Sequence, residues 1–419
     1  MIMHRHNSMK NIHGVTLIEL MLAVAISAIL LLGVGTLYGN SKRTYTVDEE
    51  FARLQENARF AMKYLVEDIR MAGYMGCVNN NNTAGKLGCF LVAGSYVCDN
   101  TSTSMLDAGL VGFEAANTNP GGAAYALQTN VAAPYGLITA GPTASWTNST
   151  TPALPAQLTA ARPPVAGSDI IIIHHGNDRS GRLSLPTNNA AAATLTIADP
   201  TNAGLTGTPC HTPSDICVND IVIVSDCQKA RVFQATALAN AGGTIQITAG
   251  GAPGNIAFAW DPPPSGANFF SAADTEVMKL RTYAYFIANN PTGQPALFRH
   301  NGIAGAGSLS EELVEGIENM QILYGVDTDA TPDGVANQYA PASAVNFTNP
   351  ANPIVSVRIS LLVRSRDNIP NRPTVPQTYP LAGTGITNSA NGPSSTGLQP
   401  DQRLRKIFTT TIKIRNKGL

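Results

Sequence analysis

Between Gly14 and Tyr38 the chain carries a single charged residue, Glu19. The other residues of the run, roughly 23 from Val15 to Leu37, are apolar, small or hydroxyl-bearing. At about 1.5 Å of rise per residue, a helix of that length crosses the hydrocarbon core of a bilayer. Whatever follows is therefore tethered to a membrane-length helix. A cleaved secretory signal would have a shorter apolar core with a small-residue cleavage site after it; here the small residue, Gly14, comes first, so the apolar helix stays on the mature chain. Arg5 and Lys10 stand near His4, His6 and His13 with no acid before Glu19, which holds residues 1–14 in the cytoplasm as a basic leader and places everything after Tyr38 across the membrane. A carboxylate near the start of a lipid-facing helix costs roughly 2.5 to 3.5 kcal/mol on insertion scales. Glu19 must reach the interface or find a partner.

Past the span, 15–38, the pattern turns amphipathic over 39–73. Phe51, Leu54, Ala58, Ala61, Met62, Leu65 and Ile69 recur at three- and four-residue spacings, and Glu49, Arg53, Glu56, Arg59, Lys63, Glu67 and Arg70 fill the other faces. No proline occurs between Val15 and Ala72, and Gly73 is placed as a C-terminal glycine. One unbroken helix would span on the order of 85 Å. Gly33 and Gly35 are either a loosened point in it or packing notches.

Residues 74–165 are rich in Asn, Thr, Ala, Gly and Pro without a helical period, and read as loops and short strands. Over 166–419, apolar or alternating runs bounded by turn residues recur, which predicts a β-rich head. Val355–Arg364 and Phe408–Arg415 alternate best and are expected to pair in a sheet lying against the long helix. The fold class is α+β.

With a net charge of −1 and 13% charged residues over 419, no wide basic field supports nucleic-acid binding. Neither H-E-x-x-H, G-x-S-x-G nor a P-loop occurs, so the chain reads as non-catalytic. His174 and His175 follow four isoleucines; neighbouring strand residues face opposite ways, so one is expected in the core and one on the surface. Trp146 and Trp260 lie in Pro/Ser/Thr-rich contexts and are the expected surface aromatics.

The stretch Gly14-Val15-Thr16-Leu17-Ile18-Glu19-Leu20-Met21 resembles the class III signal of type IV prepilins and of type II secretion pseudopilins. The resemblance implies cleavage by a prepilin peptidase after Gly14 and an N-methylated new terminus at Val15, where the family usually has phenylalanine. It implies that Glu19 pairs with the terminal amine of a subunit in the filament. Residues 56–74, 313–327 and 400–416 resemble PilW-type minor pilins, so the likeness covers both ends of the chain. Its implications are a pilin-like fold, a helix on an antiparallel sheet with a large β-rich, loop-rich insertion, and a structural role in type IV pilus assembly. The role would be in a priming or tip complex with other minor pilins and major pilin on the assembly platform. The protein would be single-pass in the inner membrane, with its head in the periplasm. Two alternatives stay open: a J-type minor pseudopilin of a type II secretion system, and a filament-tip adhesin whose receptor-facing part is about 79–274.

Six cysteines in an exported chain suggest disulfides, the alternative being buried thiols. They fall in two groups of three, Cys77, Cys89 and Cys98, then Cys210, Cys217 and Cys227. If all pair, at least one bridge joins the groups. Asp327, Asp329 and Asp333 sit in a turn ending at Gly334; the residue types suit calcium, but the EF-hand spacing is broken, and a solvated Asp/Pro/Gly turn is the other reading. No other cofactor is implied.

Overall fold

In the computed structural model the described residues are 16–417, except 79–86, 93–97, 99–105, 107, 128, 131–136, 139–145, 150–153, 156–157, 159–161, 188–192, 200–204, 207–209, 212–213, 241, 252–253, 303–308, 370–371, 373–376 and 388–400. Gly14 and Val15 lie outside them.

Helix α1 runs from Leu17 to Met71 without a break, about 82 Å at 1.5 Å per residue. Thr16 opens it in an extended conformation. Its hydroxyl accepts the Glu19 amide at 3.3 Å while the Glu19 carboxylate accepts the Thr16 amide at 3.2 Å. This is a capping box, two otherwise unmet donors satisfied reciprocally. Gly33 and Gly35 are passed without a break, with nothing within 4 Å of where their Cβ atoms would be. The end is sharper. Gly73 takes φ +73° and donates its amide to the His174 carbonyl at 2.8 Å. Gly109 lies against the same turn, and a Cβ there would fall 2.5 Å from the Gly73 nitrogen.

Among the described residues, thirteen strands build the two main sheets. The larger holds β1 (Leu87–Cys89), β2 (Leu110–Ala115), β3 (Trp146–Thr147), β4 (Ile170–Arg182), β5 (Ile221–Ser225), β6 (Ala230–Gln234), β7 (Glu276–Asn289), β8 (Pro295–Asn301) and β9 (Leu309–Glu315). Its spatial order is β1-β6-β5-β7-β4-β2-β3. β7 uses one edge twice, pairing β5 through Glu276–Lys279 and β8 through Tyr283–Asn289. All pairs are antiparallel except β1 with β6. The smaller sheet is antiparallel in the order β11-β10-β12-β13: β10 is Ile317–Val326, β11 Gln338–Ala340, β12 Ile354–Arg364 and β13 Arg405–Lys413.

The expected pair is present: β12 and β13 run antiparallel with Ser360 opposite Thr409, and α1 packs on both. Leu54, Ala58, Ala61, Leu65 and Ile69, one stripe of α1, are buried in a single core shared with both sheets. Burying a leucine or isoleucine there contributes about 1.5 to 3 kcal/mol. The connector Gly167–Asp169 stitches the sheets together. Asn319 and Gln321 of β10 donate their side-chain amides to the Gly167 carbonyl at 2.6 and 2.9 Å, and the Asp169 carboxylate accepts the amides of Ala115 in β2 and Ile322 in β10 at 3.0 and 2.8 Å.

β2 is one of the short strands expected in 74–165, and it is buried at all six residues because it is an inner strand between β3 and β4. Two expectations need correcting. His174 and His175 are both buried, since the second faces α1 instead of solvent. Neither tryptophan is on the surface: Trp146 donates its ring N–H to the Ser168 carbonyl at 2.8 Å. Trp260 lies at the centre of a second core, edge-on to Phe258 and Phe270 at 5.1 and 5.9 Å. Sparse aromatics in polar sequence had gathered where the strands Thr194–Ala198, Ala237–Asn240 and Thr244–Thr248 form a small sheet of their own.

Candidate assembly surface

Helix α1 is two surfaces in one element. Every residue from Thr16 to Tyr45 is exposed, and most of them are apolar. From Glu50 onward the inner stripe is buried. The exposed half is the one described helix long and apolar enough to cross a membrane. So large an uncovered apolar surface is stable only against lipid or other apolar helices. Glu19 stands in its first turn, its carboxylate held by the Thr16 amide and hydroxyl at 3.2 and 3.1 Å. That local role went unread in the sequence, although T-x-x-E at a helix start is its signature.

Polar contacts fix how α1 leaves the head. Asn57 donates its side-chain amide to the Glu315 carbonyl at 3.0 Å, Tyr285 donates its hydroxyl to Asp68, and Asn416 reaches the Met71 carbonyl at 3.3 Å. Lys406 of β13 lies 4.4 Å over the Phe51 ring. The sheet under the helix is held at one end by a buried ion cluster. Glu318 of β10, with no exposed side-chain surface, accepts from Arg405 Nε and Nη2 at 2.5 and 2.9 Å and from Arg364 Nη1 at 3.2 Å. Asp401 accepts from the other side of the Arg405 guanidinium at 2.5 and 2.9 Å. Burial alone would raise both acids, but the arginines reverse this: Glu318 is lowered, chiefly by Arg405, and Asp401 is held well below the usual carboxylate range. Burial brings Arg364 down to about 10.

Two acids lack such compensation. Burial raises Asp169 well above its ordinary value, with Glu114 adding to it, and burial pushes Glu114 up to about 7.

The six cysteines form Cys77–Cys227, Cys89–Cys98 and Cys210–Cys217. The bridge between the two groups is the first. It ties the chain just beyond α1 to the turn between β5 and β6 across 150 residues. Asp327, Asp329 and Asp333 do come together, with one oxygen of each within 4.8 Å of the others. Asp327 is buried, and its two oxygens accept the amides of Asp329 and Gly334 at 3.2 and 2.7 Å; Asn337 accepts the Thr328 amide at 2.7 Å. The turn is closed by its own backbone, with both Asp327 oxygens already accepting amides, and three carboxylates alone fall short of the six to eight oxygen ligands that calcium takes.

Residues 284–416 match the family model described as type IV pilus-assembly protein W, and residues 9–35 match the prokaryotic N-terminal methylation motif. No curated protein and no solved structure matches the chain. The first match covers β8 to β13 and the C-terminal end of β7, which includes the sheet that carries α1, and the second covers the exposed start of α1. With a membrane-length helix at one end and this sheet at the other, the chain is similar to PilW-type type IV pilins over these two stretches.

Proposed function

We propose that the chain acts as a minor pilin in a priming or tip complex of a type IV pilus, as a structural subunit without catalytic activity. The observation that carries this reading is the division of α1: one half is exposed along its length among the described residues, and the other is buried on the family-matched sheet. Prepilin peptidase would cut after Gly14 and leave Val15 as an N-methylated terminus. The exposed half of α1 would then move from the inner membrane into a bundle with other minor pilins and major pilin, while the head stays periplasmic. Inside such a bundle a free amine beside Glu19 offsets the desolvation of both charges and favours one register.

The test has two parts. Intact mass of the protein from cells with and without the peptidase should show a chain beginning at Val15 only when the enzyme is present. Deletion of the whole gene, scored for pili, adhesion and protein secretion, separates the remaining readings. Loss of pili supports the priming role, normal pili without adhesion point to an adhesin, and intact pili with failed protein secretion point to a pseudopilin.

A further inference from the structure

The last turns of α1 and the strands β4, β7 and β8 enclose a cavity of about 620 Å³ that the assembly reading leaves unused. It lies within the range of roughly 300 to 1,000 Å³ usual for ligand clefts. Its charge is one-sided. Lys63, Arg70, Arg281, Arg299 and Arg415 line it against two carboxylates, Glu67 and Asp68.

Asp68 is already committed, accepting the Tyr285 hydroxyl and lying 3.7 Å from Arg299 and 3.8 Å from His175 Nε2. Arg281 and Arg299 also pair outward with Asp215 and Glu311. Lys63, Arg70 and Arg415 enter no ion pair or hydrogen bond among the described residues. A second observation points to a ligand. Asn177 lines the cavity with only 8% of its surface exposed, and its side-chain N–H₂ has no hydrogen-bond partner among the described residues. A buried amide donor without an acceptor is uncommon in folded proteins. A carboxylate entering the cavity would meet the free cations, and a small side-chain shift of Asn177 would bring its donor to the same group.

We propose that this cavity binds an acidic peptide segment presented by a neighbouring protein. The cations come from α1, β7, β8 and the chain beyond β13, so a ligand needs several negative charges spread over some length to meet them. Tyr64, Val66, Met71 and Tyr283 supply the apolar wall that the peptide stem requires. Lipid headgroups are out of reach: α1 rises about 39 Å between Leu37, the end of the apolar run, and Lys63. The choice of a protein partner rests on the assembly reading; the charge and the unpartnered amide do not.

The test uses the full-length protein in detergent and fluorescein-labelled tetraglutamate at low ionic strength, read by anisotropy. Saturable binding is expected, weakened about tenfold by Arg70→Ser with Arg415→Ser and also weakened by Asn177→Ala, but unchanged by Lys413→Ser, an exposed cation outside the cavity. Absence of saturable binding, equal loss in the Lys413 control, or full competition by free glutamate at matched carboxylate concentration would overturn the proposal. The assembly reading fails separately: peptide binding by a protein dispensable for piliation keeps this site and refutes only that role.

Discussion

Replacing Glu318 by glutamine should destabilise the head by about 3 to 5 kcal/mol, the usual cost of removing one partner from a buried ion pair. The side chain of Glu318 is fully buried, as is that of Arg364. Glutamine keeps one carbonyl oxygen, enough to accept from Arg364 Nη1 and Arg405 Nη2, but it turns an N–H₂ toward Arg405 Nε and removes the negative charge. Asp401 would then stand alone against Arg364, Arg403 and Arg405. Burial already depresses Arg364. Urea unfolding of the full-length protein in detergent, with disulfides intact, can be followed through Trp146 and Trp260, which are both buried. A loss below about 1 kcal/mol would refute the reasoning, because that is the range of an exposed pair. The paired change Glu318→Leu with Arg364→Met leaves Arg405 its Asp401 partner and should recover most of the loss, since apolar replacement of a whole buried pair is often neutral or better. A double variant no more stable than Glu318→Gln would mean that the strands are held together by the charges themselves.

Other tests follow from the same geometry. Glu114 lies at about 7 when folded, against 4.5 ordinarily, so as pH rises the unfolded chain loses that proton first. Stability is full below about pH 4.5, falls by up to ~3 kcal/mol toward pH 7 and is level above, and Glu114→Gln should remove this part of the slope; an unchanged slope in urea midpoints refutes it. Cys77→Ser with Cys227→Ser opens the bridge spanning 150 residues and should cost about 4 to 5 kcal/mol by the chain-entropy model; an unmoved midpoint would show that the closed loop constrains nothing. Millimolar calcium is expected to leave the urea midpoint where chelator leaves it, because backbone amides already occupy Asp327. A calcium-dependent rise abolished by Asp329→Asn would establish a cation site instead.

What could be read in advance followed the strength of the local pattern. Fifty-five helical residues with a buried stripe and a glycine stop were legible because helix periodicity is a property of neighbours in sequence, whereas the capping box of Thr16 and Glu19 was missed. The pairing of β12 with β13 was legible from their alternation. β4 continues through the polar residues after His175 to Arg182, because β7 offers it a partner edge there. Burial of Trp260 depends on Phe90, Phe233 and Phe270, residues that only the fold brings near. Cysteine parity required a bridge between the groups if all six paired, while the partners themselves depend on where β5 and β6 turn back over the chain after α1.

Glu19 now has two jobs proposed for it, and they can be pulled apart. The carboxylate completes the capping box with Thr16, a contribution of about 0.5 to 2 kcal/mol to the helix start. It also supplies a negative charge inside an apolar surface, whose cost of roughly 2.5 to 3.5 kcal/mol selects for a cationic partner. Glutamine serves a capping box as well as glutamate does, so Glu19→Gln keeps the first role and abolishes the second, while Glu19→Ala abolishes both. If charge pairing directs assembly, both variants should be cleaved after Gly14 and both should fail to support piliation. Piliation restored by glutamine but not by alanine would show that the helix start, and not the charge, is what the filament requires.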